Sequence, residues 1–334
     1  MNPLIVAELS ANHNQSLELA LKSIKSAKEV GADCVKIQTY TPSCLTLDSD
    51  KEEFLIKDGL WSGESLYSLY CKAYTPFEWH KKLFEYAKEV GIMLFSTPFS
   101  DEGLELLESL SCPMYKVASF ELTYLDLIEK IASTHKPIIL SSGMATDEEI
   151  GEAIEICRSV GNDDITLLKC TSSYPTPLQD ANLSVIKTFK RKWGVKVGLS
   201  DHTQGFLAPV IATSLGVSMI EKHFILDKSL GGVDSTFSLD KKEFAEMVTA
   251  IRETTLALGD EDYQNKNNDK KREFARSIFV SKDIKKGEIL TRENLAIKRP
   301  NLGLHPKYFK TLLGKKASRD LSFATPLREG DFLE

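Results

Sequence analysis

The sequence predicts an α/β fold, a (β/α)8 TIM barrel followed by a small β-rich domain, and three observations predict it. Short strand-like runs alternate with helical patterns through eight units in the first 258 residues. Alternation of this kind implies a parallel sheet, and eight units of that length close into a barrel. No G-x-G-x-x-G follows the first strand, which weighs against the alternative, an open doubly wound sheet. The polar, highly charged stretch "GDEDYQNKNNDKKREFARS" at 259–277 then ends the alternation and reads as a linker. The expected domains are therefore 1–258, the barrel, and 278–334, a small module.

Each element follows from its local pattern. "LIVAE" (4–8) is the first strand, and "SLELALKSIKSAKEVG" after it has helical spacing. "DCVKIQT" (33–39) is the second. A long connection from Thr41 to Tyr74 follows, carrying Trp61, Tyr67 and Tyr70. Connections this long are usually functional, so it reads either as a lid or as a cover for the barrel's apolar rim. In "TPFEWHKKLFEYAKEVG" Thr75 is expected to cap a helix whose first turn opens with Pro76. The remaining strands are "MLFST" (93–97), "MYKVAS" (114–119), "PIILSS" (137–142), "ITLLKC" (165–170), "VKVGLS" (195–200) and "SMIEKHF" (218–224). Helices are expected from Asp101, near 124–133, in "TDEEIGEAIEICRSVG", near 182–192, at 206–215 and in "KKEFAEMVTAIRETTLALG". In the small module "KDIKKGEILTRENL" (282–295) and "RDLSFATPLREGDF" (319–332) repeat one pattern, which predicts two pseudo-related halves.

Composition narrows the function. A net charge of −6 argues against nucleic acid as a partner. The six cysteines, Cys34, Cys44, Cys71, Cys112, Cys157 and Cys170, include no C-x-x-C pair and read as reduced core thiols of a cytoplasmic protein. The start "MNPLIVAEL" lacks the basic region and apolar length of a signal peptide. No apolar run approaches the ~20 residues of a membrane span.

Strand parity then selects candidate site residues. Side chains alternate faces along a strand, so Gly198, Ser200 and His202 share one face while Val197 and Leu199 meet the helices. On the next strand Glu221 and His223 share a face, opposite Ile220, Lys222 and Phe224. Two histidines thus end adjacent strands on the inner side, ~4.8 Å apart by strand spacing, at the end where barrel enzymes place their active sites. They are either a catalytic divalent-ion site or two structural histidines. Lys36 and Lys116 interrupt apolar strands, and a buried lysine needs a partner. Either both face a shared anion, or they form internal salt bridges with Glu8 and Glu121. At ~4 Å and an effective dielectric of ~20, one cation–anion pair contributes about 4 kcal/mol before desolvation. Thr97, Ser141 and Ser200 end strands as hydroxyl donors, and Ser119 closes the Lys116 strand. Glu8 reads as a proton carrier or as a partner of Lys36 or His13, and Asp234 as an orienting carboxylate or a turn residue.

Seven motifs, "AELSANHN", "VKIQTY", "YKVASFE", "SSGMA", "KCTSSYPTP", "GLSDHT" and "EKHF", occur in order, and "KRP" stands at 298–300. Together they resemble the sialic acid synthase family, whose small terminal module is the antifreeze-like (SAF) domain. "GLWSGESLYSLYCKAYTPFEWH" and "DSTFSLD" look most like the branch that makes pseudaminic acid. The resemblance implies condensation of phosphoenolpyruvate with the open-chain aldehyde of an N-acetylated amino sugar, with water addition at C2 and loss of phosphate. It implies a divalent ion, usually manganese with magnesium or cobalt as alternatives, on His202 and His223. It implies phosphoenolpyruvate on Lys36, Lys116, Thr97, Ser119, Ser141 and Ser200. Gln38, Glu121, Tyr174 and Asp234 would contact the sugar or the ion's water, and Glu8 would handle a proton. It further implies a domain-swapped homodimer in which Arg299 reaches the other barrel. Ser172 stands where many sialic acid synthases carry Asn, which points away from N-acetylmannosamine. The alternative products are N-acetylneuraminic or legionaminic acid, and the alternative of another class is a catalytically silent sugar-binding barrel.

Overall fold

The structure, a computed structural model, describes residues 2–259 and 272–333. The chain splits into two compact units, Met1–Gly259 and Asp260–Glu334. Of the expected linker, 260–271 lie outside the described residues.

In the first unit eight parallel strands close in chain order: β1 (Leu4–Glu8), β2 (Cys34–Thr39), β3 (Met93–Pro98), β4 (Tyr115–Val117), β5 (Ile138–Ser141), β6 (Ile165–Cys170), β7 (Lys196–Asp201) and β8 (Met219–His223). β8 pairs with β1 and sets His223 opposite Glu8, while β1 pairs with β2 and sets Glu8 opposite Lys36. Closure rules out the open sheet. The strands are buried along nearly their whole length because helices cover the outside. Each helix turns one apolar face inward: Phe77–Val90 buries Leu83 and Ala87, then stops at Gly91, whose φ of 71° suits a residue without a Cβ. Asp147–Ser159 starts on a reciprocal capping box of Thr146 and Glu149.

Thr75 does not cap the helix that follows it. Pro76 occupies the cap position, and the Thr75 hydroxyl bonds His13 Nε2 at 3.2 Å instead. A tertiary partner wins over the local cap. The cysteines are all free, but they are not all core thiols: Cys71 is exposed and Cys44 half-buried, because both sit on short helices of the 41–74 connection. No helix among the described residues is long and apolar enough to cross a membrane.

The outward face of β7 and β8 carries a charge pair among apolar neighbours. Lys222 Nζ lies 2.6 Å from Asp201 Oδ2, and both side chains are buried. The same carboxylate accepts from the Thr203 backbone N–H and hydroxyl, and Lys222 also donates to Thr203 O. This pins the turn on which His202 sits.

In the second unit β9 (Ser277–Val280) and β10 (Leu295–Lys298) pair antiparallel. The repeat is visible in its hydrogen bonds. Ile284 and Leu321 exchange backbone bonds at 2.8 and 2.9 Å. Asp283 accepts from Phe323 N at 2.6 Å, and Asp320, its counterpart, accepts from Lys286 N at 2.8 Å. Leu290 and Leu327, each six positions after those paired residues, both enter the small core.

Candidate active site

The C-terminal ends of the barrel strands open into a cavity of about 460 Å3. Every site residue selected from the sequence lines it except Arg299. Parity explains this: Glu8, Lys36, Gln38, Ser200, Glu221 and His223 lie at inward positions of their strands.

Four buried charges alternate across the floor. Lys36 Nζ is 2.5 Å from Glu8 Oε2 and 3.8 Å from Glu221 Oε1, and Lys116 Nζ is 2.6 Å from Glu221 Oε1. The carboxylate partner of Lys116 is therefore Glu221, not Glu121. Ser200 Oγ donates to Glu221 Oε1 at 3.3 Å, Lys36 to Thr97 Oγ1 at 3.4 Å, and the Gln38 amide to Glu8 Oε1 at 3.2 Å. The two carboxyls part in acidity. Burial pushes Glu8 above its ordinary value against the pull of Lys36. Burial acts the same way on Glu221, but Lys116 and Lys36 outweigh it and hold Glu221 ionised. Such separation marks one carboxyl for proton transfer and the other as a fixed counter-charge.

Beside this floor stand the histidines, with ring centres 5.3 Å apart. His202 Nδ1 donates to Thr171 O at 2.9 Å, which leaves Nε2 as the nitrogen open to a ligand. Burial lowers the ring's hold on a proton, but Cys170 and Thr171 outweigh it and raise His202 above its ordinary value, so an ion would displace the Nε2 proton. His223 Nδ1 is buried with no hydrogen-bond partner, and the nearest carboxylate, Asp234 Oδ2, is 3.7 Å away. Burial, reinforced by His202 and the lysines, holds His223 well below its ordinary value and so neutral. A neutral imidazole with an orphaned nitrogen, next to one whose tautomer is fixed, fits a divalent ion. Among the described residues no group of three or more His, Cys, Asp or Glu side chains could hold a metal, so any ion would take its other ligands from substrate and water, as an open catalytic site does. Burial also raises Asp234, which accepts from Ala11 N at 3.3 Å.

Ser141 Oγ is buried without a partner at the end of β5. Ser119 Oγ sits 2.7 Å from Ser172 Oγ. A Cβ on Gly143 would fall 2.0 Å from Ser119 Cβ, which is why "SSGMA" needs glycine there. The Tyr174 ring lies tilted against His202, with ring centres 4.4 Å apart. Arg299 is an exposed residue of the second unit, on a turn held by Ser277, whose hydroxyl donates to Pro300 O.

Glu121 Oε2 is also buried without a hydrogen-bond partner, and burial pushes its carboxyl up to about 7. Below pH 4.5 the folded and unfolded carboxyls are both protonated. Between there and about 7 only the unfolded chain ionises, so this group's contribution to stability is lost as pH rises. Glu121→Gln removes that slope. Its stability relative to wild type should rise by roughly 3 kcal/mol across the window. Urea unfolding at a series of pH values checks this, and a difference independent of pH contradicts it.

Comparison with known proteins places the chain. The NeuB family profile matches residues 23–263, and a SAF domain profile matches 275–333. The chain belongs to the NeuB family. A pseudaminic acid synthase of Helicobacter pylori is 59% identical over 331 residues, spanning 98% of this chain and 97% of that protein. One from Campylobacter jejuni is 54% identical over 329 residues, 98% of this chain and 96% of that protein. Among solved structures, the N-acetylneuraminic acid synthetase of Leptospira borgpetersenii, determined with citrate, superposes with a TM-score of 0.73 at 30% identity, over 81% of this chain and 90% of that one. Within this NeuB barrel, Glu221 is the site residue that sequence reasoning left without a role. Its signal was present: it shares the inward face of β8 with His223.

Proposed function

We propose that this chain is a pseudaminic acid synthase, condensing phosphoenolpyruvate with 2,4-diacetamido-2,4,6-trideoxy-L-altrose. The observation that carries the reading is one cavity holding two inward imidazoles beside Lys36 and Lys116, in a chain 59% identical end to end to a pseudaminic acid synthase. C3 of the enol phosphate bonds to the aldehyde carbon, whose oxygen takes up a proton. Water adds at C2, and phosphate leaves with cleavage of its C–O bond. Lys36 and Lys116 bind the two anionic groups of phosphoenolpyruvate, and the hydroxyls of Thr97, Ser119, Ser141 and Ser200 orient them. Glu8, with its raised affinity for protons, takes up the one that water releases. Gln38, Glu121, Tyr174 and Asp234 position the sugar. A divalent ion on His202 and His223, manganese in this proposal, supplies Lewis acidity at the aldehyde.

The active form in this proposal is a cytoplasmic homodimer in which Arg299 of one subunit completes the barrel site of the other. Six free cysteines suit a reducing compartment. The test is phosphate release from phosphoenolpyruvate with manganese and each of three sugars: the diacetamido-altrose, the precursor of legionaminic acid, and N-acetylmannosamine. Release is expected chiefly with the first. Release chiefly with either of the others contradicts the substrate assignment, and binding without release from any sugar contradicts the enzyme.

A further inference from the structure

We infer that the segment between β2 and the helix Phe77–Val90 selects the sugar, with Trp61, Leu66 and Leu69 forming a wall for the methyl-bearing end of the open chain. The inference rests on the proposed reaction. The cavity has two chemically distinct halves. Its floor is the charged quartet and the histidines, whereas the wall that this segment contributes is mostly apolar, with Tyr40 and Tyr70 bringing its only hydroxyls. Leu69 is buried and Trp61 and Leu66 are half-buried. Asp58 is the segment's one charged side chain on the cavity, and it is exposed.

A run of tilted ring contacts sets the spacing between floor and wall. Tyr174 lies 4.4 Å from His202, and Trp61 lies 5.9 Å from Tyr174. The indole N–H donates to Val233 O at 3.2 Å. The one polar atom of Trp61 is thereby spent on backbone, and what it offers a ligand is apolar. An aldehyde carbon held at the histidines, beside the enol phosphate on Lys36 and Lys116, leaves C4 to C6 at the outer wall. In the trideoxy sugar that end carries an acetamido methyl and the C6 methyl. A 6-hydroxyl pressed on the same wall loses water without gaining a partner. Apolar walls discriminate against one added hydroxyl by about 100-fold.

The test compares kcat/KM for the 6-deoxy sugar and its 6-hydroxy counterpart, using the full-length enzyme with manganese. Wild type should favour the 6-deoxy sugar by about 100-fold. Trp61→Ala and Leu66→Asn should each bring that ratio below about 10, through the KM for sugar, and Trp61→Phe should keep most of it. An unchanged KM for phosphoenolpyruvate in all three shows that the floor is intact. A wild-type ratio near 1, or a ratio that Trp61→Ala and Leu66→Asn leave unchanged while both sugars turn over, overturns the inference and leaves the proposed function standing. No phosphate release by wild type with either sugar overturns the proposed function, and the inference with it.

Discussion

Replacing His202 or His223 by alanine is expected to abolish phosphate release and to weaken divalent-ion binding by more than about 100-fold, because substitutions that only support a metal ligand already cost ~10–100-fold. The protein should stay folded. His223 Nδ1 has no hydrogen-bond partner to orphan, and losing His202 leaves Thr171 O the Thr176 hydroxyl as a donor at 3.2 Å. One lost hydrogen bond costs ~0.5–1.5 kcal/mol, and the Asp201–Lys222 pair still holds the turn. Calorimetric titration with manganese, circular dichroism and the phosphate assay together check the prediction. Normal turnover by either variant, in chelator-treated buffer resupplied with metal, removes the two-histidine site.

Lys116→Ala is expected to act on stability and on substrate binding at once. It leaves Glu221 buried with its 2.6 Å partner gone and Lys36 at 3.8 Å as the remaining cation. Breaking one side of a buried pair costs ~3–5 kcal/mol. The variant also loses a charge-assisted bond to the anion, which should raise the KM for phosphoenolpyruvate by roughly 10- to 100-fold. Lys116→Met together with Glu221→Met separates the two effects. Apolar side chains of similar volume replace a buried pair at little cost, so stability should return while phosphate release does not. Recovery of activity in the double variant would show that neither charge takes part in the reaction.

The barrel was legible because its pattern is repeated and local. Each of β1 to β8 is a short apolar run followed by a helix, and parity assigns a face to every residue along it. Parity also places Ser200, His202, Glu221 and His223 on the inward face. Partnership across the barrel was not legible. Lys116 and Glu221 are 105 residues apart, and a single sequence carries no signal that they touch, so the salt-bridge alternative names Glu8 and Glu121 instead. The same limit applies to Thr75, which reads locally as a helix cap but whose hydroxyl is taken by His13. Parity puts Lys222 on the outward face of β8, and nothing local shows that its partner there is Asp201 on β7. The 41–74 segment breaks into three short helical pieces, Pro42–Leu45, Glu52–Phe54 and Leu66–Ala73. Their lengths are too short for a 3.6-residue period to register, so pattern leaves open whether the segment is a lid or a cover and does not single out Leu66 and Leu69 for the cavity wall.

Electron–nuclear double resonance of the manganese-loaded enzyme tests the central claim most directly, because it counts the nitrogens bound to the ion. Two imidazole nitrogens are expected in wild type, and one in each of His202→Ala and His223→Ala at saturating metal. A wild-type spectrum without nitrogen coupling, or one that neither substitution alters, would place the ion elsewhere and contradict the site.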